Sequence, residues 1–189
     1  MANDGEPRRI SLIGAECSGK TTLARALADR LPGLWVPELL REFCDLHGRA
    51  PRCDEQSGLM RAQIEREAQV QALARRQGFG FIVCDSSPLA TALYSAELYD
   101  DASLFDEALE HQRSYALTLC TAIDMPWHAD GIQRDGPRAR ESFDARLSRE
   151  LTQRGVAFTR VAGGPRQRVG AAFAAMDRLG IAYNRLATR

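Results

Sequence analysis

The sequence predicts an α/β fold, a three-layer sandwich around a parallel sheet. Two observations carry this. Short apolar runs alternate along the chain with longer segments of helical periodicity, and the first run ends in a glycine-rich loop that opens a helix. At 189 residues the chain fits one domain, 1–189, with residues 1–8 as a flexible leader.

The elements follow in order. Ile10-Ser11-Leu12-Ile13 is a short strand ended by Gly14, and Thr21 to Leu31 is a helix stopped by Pro32-Gly33. Leu34-Trp35-Val36 is a weak second strand, followed by a short helix from Glu38 to His47 closed by Gly48. Asp54 to Gln77 predicts a long amphipathic helix whose apolar stripe is Met60, Ile64, Ala68 and Ala72. Phe79 to Cys84 is nearly continuously apolar and ends at Asp85, the pattern of a strand covered on both faces. Helices over 88–97 and 102–113 precede a strand from Tyr115 to Ile123. Asp124 to Pro137, with two prolines and two glycines, predicts a long loop, and long ordered loops often serve function. A helix marked by Phe143, Leu147 and Leu151, a strand from Val156 to Val161, and a helix striped by Val169, Phe173, Met176 and Leu179 complete the alternation.

Composition narrows the possible functions. Acidic and basic residues balance at 25 each, so no overall field draws the protein to nucleic acid or to an anionic membrane. No segment has the length or apolarity of a membrane span, and the N-terminus lacks an apolar signal core. Cys17, Cys44, Cys53, Cys84 and Cys120 are odd in number and contain no C-x-x-C pair, which points away from a disulfide framework and toward a reducing cytoplasm.

Gly14-Ala15-Glu16-Cys17-Ser18-Gly19-Lys20-Thr21 spells the G-x-x-x-x-G-K-[ST] phosphate-binding loop and stands where it must, between a strand and a helix. Glycines let backbone amides approach phosphate oxygens, the helix N-terminus favours anions, Lys20 reaches the β and γ phosphates, and the Thr21 hydroxyl ligates magnesium. Residues 14–21 with Thr22 therefore form the expected ATP site. Lys20 is the only lysine beside 24 arginines. A lone lysine would meet this pattern by chance with a probability on the order of one in a thousand. The chain uses arginine for every generic positive charge and keeps the compact ammonium only here.

Asp85, at a strand end, fits the acid that holds magnesium through water. A kinase acceptor hydroxyl needs a carboxylate to take its proton. Glu38 is the first candidate and Asp85 the second, while Glu38 also suits an ordinary helix start. Arg41 lies one turn further on, placed to pair with Glu38 or with a substrate. Arg134, Arg138 and Arg140 cluster where a mobile lid would neutralise the transferring phosphoryl, or else form a solvated basic loop.

The loop Gly14 to Leu23, Glu38 with Arg41-Glu42-Phe43, Cys84-Asp85, and Pro126-Trp127-His128-Ala129-Asp130-Gly131 together resemble the nicotinamide riboside kinase domain of bacterial NadR proteins and its AAA-type ATPase relatives. The resemblance runs over nearly the whole chain. It implies a P-loop fold of the nucleoside and nucleotide kinase type, ATP and Mg2+ as cofactors, and phosphorylation of the 5′-hydroxyl of nicotinamide riboside to nicotinamide mononucleotide. It also implies a place in NAD biosynthesis and a substrate site drawn from Trp35, Glu38, Arg41, Trp127 and Asp130. Trp35 and Trp127 are the best candidates to stack on an aromatic cation, or else each is a partly buried core residue. The sequence departs from the family in having Pro37 directly before Glu38 and Gln133-Arg134 after Ile132.

The alternatives are a kinase of another nucleoside or metabolite, and a regulatory ATPase with no phosphoacceptor. His47, His111 and His128 have no zinc-ligand spacing, no G-x-S-x-G elbow is present, and no Asn-Lys-x-Asp guanine motif occurs. The sequence leaves the acceptor open, and leaves room for a homo-oligomer.

Overall fold

A computed structural model describes residues 5–128 and 136–184. In chain order the elements are β1 (Arg8–Ile13), α1 (Lys20–Ala28), β2 (Gly33–Val36), α2 (Leu39–His47), α3 (Cys53–Arg76), β3 (Phe81–Asp85), α4 (Pro88–Leu98), α5 (Phe105–Gln112), β4 (Leu117–Thr121), α6 (Pro137–Gln153), β5 (Thr159–Val161) and α7 (Pro165–Arg178). Proline begins α4, α6 and α7, where its fixed φ suits the first turn and its missing N–H costs nothing. Gly48 closes α2 in the left-handed conformation, φ 66°.

The strands are parallel and lie in the order β2-β3-β1-β4-β5. Alternation along them sorts side chains into two helical layers. Ile10, Leu12, Phe81, Val83, Leu117 and Leu119 pack on α1 and α7. Ile13 and Cys120 pack on the other face with α3, α4, α5 and α6, and Ile82 and Cys84 meet α3 there. The predicted three-layer sandwich is thus the observed one. The strands β4 and β5 are shorter than the apolar runs that suggested them, because those runs continue into loops covered by helices.

One expectation fails in α3. Met60 is buried, but Ile64 is only half-buried and Ala68 and Ala72 are exposed. The buried residues are Gln56, Met60, Gln63, Glu67 and Ala74. A strict spacing of four drifts about 40° around the helix at each step, whereas this set follows the true 3.6-residue period. The inner face of α3 is therefore largely polar.

Register sets the place of the site. Leu12 lies opposite Asp85, and Ile13 opposite Cys120, so the C-terminal ends of β1, β3 and β4 bring Gly14, Asp85 and Thr121 side by side. Chain connections run to opposite sides of β1, and such a reversal opens a crevice above the strand ends.

Candidate active site

The loop between β1 and α1 wraps the crevice floor. A β-carbon on Gly14 would fall 2.2 Å from the Thr121 hydroxyl, so β4 leaves room only for glycine. Gly19 has φ 80° and Cys17 φ 50°, left-handed turns that swing successive amides inward. Lys20 Nζ donates to the carbonyls of Gly14 at 2.9 Å and Ala15 at 3.0 Å, folded back across the loop it would leave to meet phosphate oxygens.

The loop is braced from below and behind. Ser18 Oγ donates to Ala15 O and lies 2.6 Å from Thr121 Oγ1. Arg168, on α7 and only 2% exposed, donates to the carbonyls of Ser18 at 2.6 Å, Gly163 at 2.7 Å and Ala122 at 3.1 Å, and pairs with Asp124. The Gly163 N–H and the Arg168 guanidinium hold the Asp124 carboxyl below the usual carboxylate range. Composition gave no sign of this role, since Arg168 reads as one surface arginine among 24.

Above the loop opens a cavity of about 850 Å³ whose lining includes Lys20, Thr21, Arg25, Glu38, Arg41 and His128. Asp85 sits beneath, 2% exposed, with Oδ1 unpartnered. Burial pushes its carboxyl up and Glu38 adds to this, while the Thr21 hydroxyl and the Lys20 and Arg41 charges pull it back. A buried, half-satisfied carboxylate beside the Thr21 hydroxyl fits a hydrated cation. Among the described residues no group of three or more His, Cys, Asp or Glu forms a complete metal cage, so the phosphates and water would have to complete the shell.

The structure thus brings loop residues 16–22, Glu38 and Arg41 to the wall of one cavity, with Asp85 buried beside Thr21. Trp35 it places elsewhere. In β2, Leu34 and Val36 face the α3 layer, so alternation turns Trp35 to the opposite core, where the Arg25 guanidinium lies 4.4 Å from its ring centroid. Trp35 does not line the cavity, but its partner Arg25 does, a residue the sequence did not single out.

Trp127 is half-buried and donates Nε1 to Glu16 at 2.9 Å. Cys17 Sγ donates to His128 O at 3.3 Å, so two contacts tie the segment after β4 to the phosphate loop. Arg138 is exposed on the first turn of α6, outside the cavity lining. Arg140, grouped with the lid arginines, is buried and donates to the carbonyls of Ile123 at 2.8 Å and Met125 at 2.9 Å. It supports the loop from beneath. Asp130 and Arg134 lie outside the described residues.

Against known proteins, residues 9–168 match the family described as an AAA domain. The chain superposes on the crystal structure of a NadR protein in complex with NR with a TM-score of 0.72 at 18% identity, over 96% of this chain and 52% of that one. It therefore spans about half the length of that NadR chain. A thymidylate kinase from Candida albicans matches with a TM-score of 0.66 at 16% identity, over 96% and 99% of the two chains. One from Ehrlichia chaffeensis matches at 0.59 and 13%, over 93% and 98%. These likenesses are of fold. No curated protein matches the chain.

Proposed function

We propose that this chain, which belongs to the AAA domain family, is an ATP-dependent phosphotransferase that moves the γ-phosphoryl group to a hydroxyl of a small nucleoside-like molecule. The observation that carries this is the cavity shared by the phosphate loop and Glu38. A phosphate donor bound at one end and a hydroxyl at the other would meet inside it.

Lys20 exchanges its two loop carbonyls for phosphate oxygens, and its charge offsets the negative charge gathered there. Thr21 and, through water, Asp85 would hold a magnesium ion, which would supply positive charge to offset that of the phosphates. Glu38, whose side chain makes no capping bond to its own helix, accepts the proton of the attacking hydroxyl.

Nicotinamide riboside is the first acceptor to test, because the fold and the motif set resemble the NadR kinase domain. That assignment would place the reaction in NAD biosynthesis. A second reading, a kinase of a different nucleoside or metabolite, draws on Arg25 and Arg41. Both line the cavity, Arg25 held over the Trp35 ring and Arg41 near enough for its charge to reach Asp85, and two guanidinium groups there suit an acceptor that carries an anionic group.

The deciding experiment is ADP release from Mg-ATP with no acceptor, with nicotinamide riboside, with thymidine, and with a nucleoside monophosphate. The expected outcome is acceptor-dependent release that falls by about a hundredfold or more in Lys20→Ala. Turnover indifferent to every acceptor would sink the kinase and leave an ATPase.

A further inference from the structure

The polar inner face of α3 does not reach solvent. Gln63 is 5% exposed and Glu67 fully buried, and buried amides and carboxylates are costly unless every group is bonded. Here they are. Tyr115 Oη donates to both Glu67 oxygens at 2.9 Å, and His111 Nε2 lies 2.8 Å from Glu67 Oε2. Gln63 Nε2 donates to Glu67 Oε1 at 3.3 Å, and Gln63 Oε1 accepts the Leu39 N–H at 3.0 Å.

The order of this chain fixes the amide's orientation. A carboxylate offers no hydrogen, so the Gln63 nitrogen must face Glu67, and its oxygen must then face Leu39. Leu39 is the first residue of α2, whose N–H has no partner within the helix. An N-cap side chain ordinarily bonds an N–H of the first turn. The N-cap residue is Glu38, its side chain makes no such bond, and it lines the cavity instead. A glutamine from a neighbouring helix takes the amide of the first helical residue from the side and so fixes the start of α2, while Glu38 caps no amide of its own helix and faces the cavity.

We infer that Gln63, oriented by Glu67, is a positioning residue that fixes the start of α2 and so aims Glu38 at the acceptor hydroxyl; this rests on the reading of Glu38 as acceptor base. Packing alone does not call for it. Met60 and Ala74 fill the same buried face with apolar groups, and an apolar residue at 63 would avoid burying an amide.

The test compares Gln63→Leu, Glu38→Gln, the two together, and the exchanged pair Gln63→Glu with Glu67→Gln. The exchanged pair keeps an oxygen toward Leu39 and a donor toward residue 63, and it guards against a variant that merely misfolds. ADP release from Mg-ATP is measured with nicotinamide riboside, together with amide hydrogen exchange at Leu39 followed by NMR. Gln63→Leu is expected to lower kcat about tenfold to a hundredfold with KM for ATP unchanged. It should add nothing in the Glu38→Gln background, and it should speed Leu39 exchange while the α3 amides hold their rates. The exchanged pair should restore both readouts.

Unchanged Leu39 exchange overturns the proposal whatever the acceptor, and so does a kcat loss that multiplies with that of Glu38→Gln. Full turnover in Gln63→Leu beside a crippled Glu38→Gln overturns the positioning role alone. Full turnover in Glu38→Gln removes the acceptor-base reading beneath it.

Discussion

The two ends of the cavity are built differently. At the phosphate-loop end nearly every polar group is already engaged: Lys20 on two carbonyls, Ser18 on Ala15 and Thr121, Arg168 on three carbonyls and Asp124. At the α2 end the groups are held in place but keep charge to spare. Arg41, on the first turn of α2, lines the cavity and forms no ion pair among the described residues, although its charge reaches Asp85 beneath the loop. A donor nucleotide is common to a whole class of enzymes and can be met by a preformed cradle, whereas unspent charge at the other end is what would select an acceptor.

If the phosphate end is preformed by its brace, removing the brace should have the largest effect. Arg168→Met deletes the three carbonyl bonds and the Asp124 pair of a buried cation and should cost about 3 kcal/mol. That lowers the thermal midpoint by roughly 6–12 °C and weakens ADP binding in a calorimetric titration. A midpoint like that of the unaltered chain would show that the loop holds its own shape.

Asp85→Asn probes the buried carboxylate beneath the loop. The folded-state carboxyl is raised by burial, so the ionised form opposes folding above that value, and the neutral form does not. The amide mimics the neutral acid. Without nucleotide, the variant should melt higher than the unaltered chain near pH 7. The gain should vanish as pH falls below the carboxylate range, and turnover should be lost throughout. A variant that melts lower at neutral pH would mean the carboxylate is already satisfied.

The smallest effect on stability belongs to Arg25→Ala and Arg41→Ala. Neither breaks an ion pair found among the described residues, so melting should move by no more than about 2 °C. The informative readout is acceptor KM. A rise of about tenfold for an anionic acceptor, with none for nicotinamide riboside, sharpens the contrast between the ends; unchanged KM for every acceptor breaks it.

Where a local pattern had a single physical meaning, the sequence was easy to read. The apolar run ending in Gly14 and the run ending in Cys84-Asp85 are adjacent strands, because a short run apolar on both faces suits a covered parallel strand and little else. Glu38 and Arg41 are reachable through spacing and resemblance, and they do line the cavity. What escaped was any role fixed by partners distant in the chain. Trp35 gave no hint of its face, since a strand of four residues has too few alternations to orient it. Arg140 and Arg168 resemble every other arginine here until the carbonyls they serve are in view. Binary patterning sends Gln63 and Glu67 to solvent, because it assumes that buried helix faces are apolar.

The bond from Arg168 to the Ser18 carbonyl joins residues 150 positions apart, and this gives the phosphate site a history as well as a geometry. During synthesis the motif residues 14–21 emerge well before the guanidinium that supports them, which follows only after the five strands of the described sheet have been made. A growing chain displays the signature long before it owns the site. The cradle is therefore finished only when α7 has been made and docked, so a phosphate ligand would be a late witness to folding and not its early template.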